Sequence, residues 1–239
     1  MDADGEMAAG DGGANKPLSR PTIVRAALRF IDRGGAQALT MRALGEELGV
    51  GAMALYRYVS GREDLLEAVV ADLLDGVRQD FDIDLTRTWQ GYLMSLAHAI
   101  RRIAVDHASA FPLVATRHPA APWLRPPLRS LELVEDFLVT LKQHGLTDEQ
   151  TVGAYRAFSS FLLGQLLLES ATRGAETSPV EEPLDEGGAQ VPGQDGRVNL
   201  DGSPTTARLR PMLSEDHSEA EFEISLEALL DRLEMDIAQ

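Results

Sequence analysis

The chain has 239 residues, 44% of them hydrophobic, which is enough for one large domain or two smaller ones around a sizeable core. It has no cysteine, which excludes disulfides and thiolate metal sites, and its longest nearly unbroken apolar stretch, Phe161 to Leu168, is far short of the roughly 18 residues a membrane span needs. The net charge of −16 argues against a nucleic-acid partner until its distribution is read: Lys16 to Glu63 holds eight basic and four acidic residues, a balance of +4 that leaves −20 for the rest.

Residues 1–17 read as a disordered tail, since Met1 to Asn15 carry four acids, no Lys or Arg and no apolar run of the kind a secretory leader has. Ser19 is a candidate cap for a first helix carrying Ile23, Ala26, Ala27, Phe30 and Ile31 at helical spacing, stopped by Gly34-Gly35. Thr40 caps a short helix with Leu44 and Leu48 on one face, and Gly49 breaks it. After the turn at Val50-Gly51, a second short helix is expected from about Ala52 to Val59, then a longer one from Glu63 to about Phe81. Two short helices joined by a glycine turn are the pattern of a helix-turn-helix.

Helical spacing continues through Trp89, Leu93, Leu96, Ala97, Ile100 and Ala104. A proline-rich bend spans Asp106 to Pro127, a helix runs from about Leu128 to His144, and another starts at Thr147, where Thr147 and Gln150 have capping-box spacing, and runs toward Arg173. From about Gly174 to Ser214 the composition turns to Pro, Gly, Ser and acids, so a mobile loop is expected; Phe222, Leu226, Leu229, Leu230, Leu233 and Ile237 then mark a final helix. With no sustained period-2 alternation, the expected fold is all-α: a helix-turn-helix domain over 18–64 and a helical domain over 65–239.

The stretch from Ile23 to Leu66 resembles the DNA-binding domain of the TetR family. The match rests on Ala26-Ala27-Leu28, Gly35, Leu39-Thr40-Met41-Arg42-Ala43-Leu44, Leu48-Gly49-Val50, Leu55-Tyr56-Arg57-Tyr58-Val59, Arg62 and Leu65-Leu66. The more diverged remainder resembles the tetracycline-repressor subgroup. The resemblance implies a ligand-inducible repressor whose Ala52–Val59 helix enters the DNA major groove, where a helix fits and each base pair is distinguishable. Ala52, Met53 and Ala54 would then touch base edges, Arg57 a guanine or a phosphate, and Arg42 a second base edge; Met41 belongs to the same reader. Thr40, Tyr56, Tyr58 and Arg62 would contact phosphates, which set register without carrying sequence information. Leu55 and Val59 read as core, and packing is the alternative role of Tyr56.

The resemblance also implies a homodimer, built by the Thr147–Arg173 helix with the final helix, on a palindromic double-stranded operator. It implies a small-molecule effector between the helices, with Trp89, Leu93, His98, Phe111, Trp123, Leu133, Phe137, Tyr155, Phe158 and Gln165 as candidate contacts. Where tetracycline repressors place histidines for drug and metal, this chain has Arg78 and, approximately, Leu113, so tetracycline is not the expected ligand. His98, His107 and His118 follow no ligand spacing, and no metal or cofactor is expected. No nucleophile elbow, paired metal ligands or phosphate loop is present in the sequence, so a regulator is expected rather than an enzyme, and the family resemblance implies a cytoplasmic one.

Overall fold

The structure is a computed structural model that describes residues 18–78, 81, 84–116, 118–175 and 203–238. The acidic 1–17 tail and residues 176–202 of the expected loop lie outside the described residues. Among the described residues the regular elements are helices: α1 (Arg20–Gly34), α2 (Met41–Glu47), α3 (Ala52–Leu55), α4 (Arg62–Leu74), α5 (Trp89–Asp106), α6 (Leu131–Gln143), α7 (Asp148–Thr172), α8 (Pro204–Leu213) and α9 (Ser218–Ile237). Short 3₁₀ turns occur at Leu85–Arg87 and Phe111–Leu113.

The caps follow from local chemistry. The Ser19 hydroxyl accepts from the Thr22 N–H at 3.3 Å, Thr40 from Ala43 at 3.1 Å, Thr88 from Gly91 at 3.1 Å and Ser130 from Leu133 at 3.2 Å. At α7 the capping box is complete, with Thr147 accepting from the Gln150 N–H and the Gln150 side chain accepting from the Thr147 N–H.

Three elements differ from the expected ones. Helix α3 ends at Leu55 because the next turn tightens: the Tyr58 N–H donates to Leu55 O, three residues back, at 2.9 Å. Helix α4 ends at Leu74 rather than near Phe81, where Gly76 takes a φ of 75°. The expected loop up to Ser214 contains α8, where Pro204 falls in the first helical turn and leaves no donor unsatisfied.

One core runs through both ends of the molecule. Ile23, Leu44 and Leu55 of the first three helices, with Leu39 just before α2, share one core with Leu65, Leu66 and Val69 of α4, and the same core continues through Leu93, Leu96, Phe137, Phe158 and Phe222. Burying each such side chain stabilises by about 1.5–3 kcal/mol. The α4 helix therefore belongs to both halves. His107 Nδ1 also lies 2.9 Å from Asp32 Oδ2, which joins the end of α5 to α1.

Candidate nucleic-acid interface and effector cavity

The α2–α3 unit is assembled by close backbone approach. The Val50 N–H donates to Gly45 O at 2.9 Å, and a Cβ at Gly45 would stand 2.8 Å from Val50 O, so the turn between the helices packs where only hydrogen fits. Gly49, at φ 68°, reverses the chain. Leu44, Leu55 and Val59 point into the core, leaving Met53 78%, Tyr56 47% and Tyr58 38% exposed. Ala52 and Ala54 are half-buried beside Met53, and Thr40 and Arg57 are exposed. Arg57 makes no hydrogen bond or ion pair among the described residues. The Arg42 guanidinium donates to Glu46 at 2.9 Å, which pushes its pKa up, chiefly through that hydrogen bond.

Two of the expected reader residues stand apart from this face. Met41 is buried in the core. Arg62 is half-buried, and its guanidinium donates to Leu39 O and Ala36 O, each at 2.9 Å, so it holds the turn before α2. A neighbouring cluster fixes α1 to α4: Arg20 donates to both Asp64 oxygens at 2.7 and 3.1 Å and to Tyr58 O, and the Ser60 N–H donates to Asp64. The Arg20 hydrogen bond, then the Ser60 N–H, holds the Asp64 carboxyl down at about 2.

Between α5, α6 and α7 lies an apolar cavity of about 30 Å³, lined by Leu96, Ile100, Val114, Leu128, Leu133, Phe137, Tyr155, Phe158, Ser159, Leu162 and Leu163. That is room for about one water, so a larger molecule requires its walls to move. Phe137 stands 5.6 Å from the rings of both Tyr155 and Phe158 and 6.3 Å from Tyr92. The Tyr155 hydroxyl donates to Pro126 O at 3.1 Å, and burial pushes it up to about 12. Leu133 also lines an open cleft of about 710 Å³ between α1, α4 and α6. There Asp136 accepts from Arg78 and, at 3.0 Å, from Tyr92, whose pKa is raised first by burial and then by the Asp136 charge.

Of the ten candidate effector contacts, Leu133, Phe137, Tyr155 and Phe158 meet at the cavity. The remaining six lie elsewhere. Leu93 and Phe111 are fully buried core; Trp89 and Gln165 are half-buried; Trp123 is 72% exposed; and His98 pairs with Glu223 at 3.0 Å against the Phe222 ring. Periodicity places a residue on the inner side of a helix and does not separate core from cavity lining, so Trp89 and Leu93 carry the same signal as Phe137, Tyr155 and Phe158, while Phe111 and Trp123 fall in the proline-rich bend, where no periodicity guides the choice. Leu96 and Ile100 share the helical stripe of α5 and also line the cavity. Arg129, buried between the cavity wall and α4, had no periodic signal at all. Among the described residues no group of His, Asp or Glu is arranged to hold a metal, and no helix is long and apolar enough to cross a membrane.

The chain matches the family model described as bacterial regulatory proteins, tetR family, over residues 23–69, and the tetracyclin repressor-like C-terminal domain over residues 84–237. It is 27% identical to the HTH-type transcriptional repressor DrrR1 of Streptomyces coeruleorubidus over 240 aligned residues, covering 95% of this chain and 81% of the relative. Its fold matches the crystal structure of a possible TetR family transcriptional regulator from Streptomyces coelicolor A3(2), with a TM-score of 0.68 and 27% identity over 91% of this chain and 99% of the other. The fold also matches the S. coelicolor TetR family protein ActR in complex with actinorhodin, with a TM-score of 0.64 and 23% identity over 94% of this chain and 99% of the other.

Proposed function

The chain belongs to the tetR family of bacterial regulatory proteins, and on that premise we propose that it is a homodimeric repressor that releases a palindromic operator when a small apolar molecule opens the α5–α6–α7 cavity. In this reading residues 18–64 read DNA, the rest senses and dimerises, and the protein binds rather than catalyses. The observation that carries it is the exposed Arg57, without a partner among the described residues, in the turn that follows α3 between the buried Leu55 and Val59, with Met53 exposed on α3 itself. Arg57 and Met53 would meet base edges, with Ala52, Ala54 and Arg42 beside them, while Thr40, Tyr56 and Tyr58 would meet phosphates.

The cavity is apolar with two hydroxyl-bearing residues, Tyr155 and Ser159, which suits a hydrophobic, aromatic-containing ligand. The structural neighbour ActR was crystallised with actinorhodin, and this supports an organic effector of that general kind. The stripe of exposed residues on α7, Val152, Arg156, Ser160, Gly164 and Leu168, has small residues at its centre, which suits close crossing by a second copy. The test is a gel shift with the DNA upstream of the chain's own gene. A retarded complex of dimer mass that weakens steeply with salt and dissociates on adding one member of an apolar compound library is expected. A monomer on DNA, or no complex at low salt, refutes the reading.

A further inference from the structure

Arg129 lies just before α6 with its side chain 6% exposed, and its guanidinium donates to Glu63 Oε2 at 3.0 Å and to the Thr116 hydroxyl at 3.2 Å. Its Nε is buried without a partner, so the charge is compensated by very few groups, and a buried guanidinium that loses its carboxylate is strongly disfavoured. Glu63, by contrast, is 66% exposed at the start of α4. The pair therefore ties a rigid, buried anchor in the body to a surface residue at the base of the reader.

On the body side, Arg129 is continuous with the cavity wall. Leu128 precedes it in sequence and lines the cavity, and the Arg129 N–H donates to the carbonyl of Val114, a second lining residue, at 3.0 Å. On the reader side, Glu63 follows Arg62, whose guanidinium grips the Ala36 and Leu39 carbonyls immediately before the Thr40 cap of α2.

We propose that the Arg129–Glu63 ion pair is the link that carries expansion of the cavity to the reader: when the Val114–Leu128 wall moves outward, Arg129 drags Glu63, and Arg62 re-aims α2 and α3. The inference rests on the regulator reading, and it concerns which contact does the coupling. Because the cavity holds about one water, an effector seated in it must move a wall, and this wall is hydrogen-bonded to a residue that also grips α4.

The test needs no identified effector, because a side chain that overfills the cavity stands in for one. With no native cysteine, Met53→Cys on α3 and Gln143→Cys at the end of α6 accept two spin labels. Sparse labelled chains among excess unlabelled ones give the distance from reader to body within one protomer. Ser159→Leu, with Ser159→Val as the milder filler, is expected to shift that distance by about 1–2 Å, the usual scale of helix shifts. The shift is expected to vanish in the Glu63→Gln background, where the pair is lost while α4 folds. An equal shift with and without Glu63→Gln, or no shift in either background, overturns the proposal. Because the distance is measured within one chain, a failure of dimerisation or of operator binding overturns the regulator reading alone and leaves this outcome legible.

Discussion

Arg57 has no partner among the described residues, while Arg42, 87% exposed, is already paired with Glu46, so the two arginines are not equivalent in what DNA binding takes from them. A free guanidinium needs no ion pair broken before it meets a guanine or a phosphate. Arg57→Ala is expected to weaken operator binding by about 1–3 kcal/mol, with a loss that depends on the base at one position if the contact is to a base edge. Arg42→Ala is expected to cost less, since Glu46 competes for it. Titration against operators substituted one base pair at a time reads both, and unchanged affinity in both variants removes the assignment of this face.

Asp64 gives a second expectation at the same scale. Its folded pKa of about 2 lies below the ordinary carboxylate value of about 3.9, so its bond to Arg20 contributes in full above the ordinary value. That contribution is lost as pH falls through about 2. With Asp64 30% and Arg20 45% exposed, solvent screening holds the effect to about 1 kcal/mol. Asp64→Asn is expected to flatten the pH dependence of the melting temperature between about pH 4 and pH 2, a change of about 2–4 °C.

At the scale of elements, the reader is too short to be stable by itself. An isolated helix as short as the four-residue α3 does not persist in water, and this one holds because Leu55 and Val59 are buried and α2 lies against it. Gly45 tests that contact because two effects of opposite sign compete there. In a helix, Ala is better than Gly by about 1 kcal/mol, but the added Cβ would meet backbone atoms that cannot swing away, Val50 O at 2.8 Å and Ala52 N at 3.2 Å. Overpacking of that kind costs about 1–3 kcal/mol, so Gly45→Ala is expected to destabilise and to weaken operator binding. Denaturant unfolding measures it, and a stabilised Gly45→Ala protein would mean that the turn relaxes at little cost.

Across the whole molecule, a single protomer leaves large apolar side chains exposed on two helices that pack together, Leu168 70% on α7 and Ile224 67% and Met235 54% on α9. Apolar residues gathered on neighbouring helices of a folded unit mark an association surface. Leu168→Glu with Ile224→Glu is expected to convert a dimer to a monomer by mass in solution. Operator affinity should fall with it, because two readers are then no longer held about one DNA turn apart. A double variant that stays dimeric places the interface elsewhere.

Which parts of this protein are legible in its sequence follows from the range of the interactions involved. The capped starts at Ser19, Thr40 and Thr147, the glycine turn at Gly49 and the inward stripes of α5, α6, α7 and α9 depend on neighbours within a few residues, and the amino acids declare them directly. The ordered motif from Ile23 to Leu66 added the family, and with it the expected role. Three things depended on contacts between segments far apart in the chain. Met41 and Arg62 left the reading face because distant core and carbonyl groups claimed them. The cavity selected Leu133, Phe137, Tyr155 and Phe158 from ten candidates, because packing against α5 and α7 decides which inward side chains border space and which border one another. Arg129 met Glu63 across 66 residues, a juxtaposition that no local pattern encodes and that only the folded chain creates.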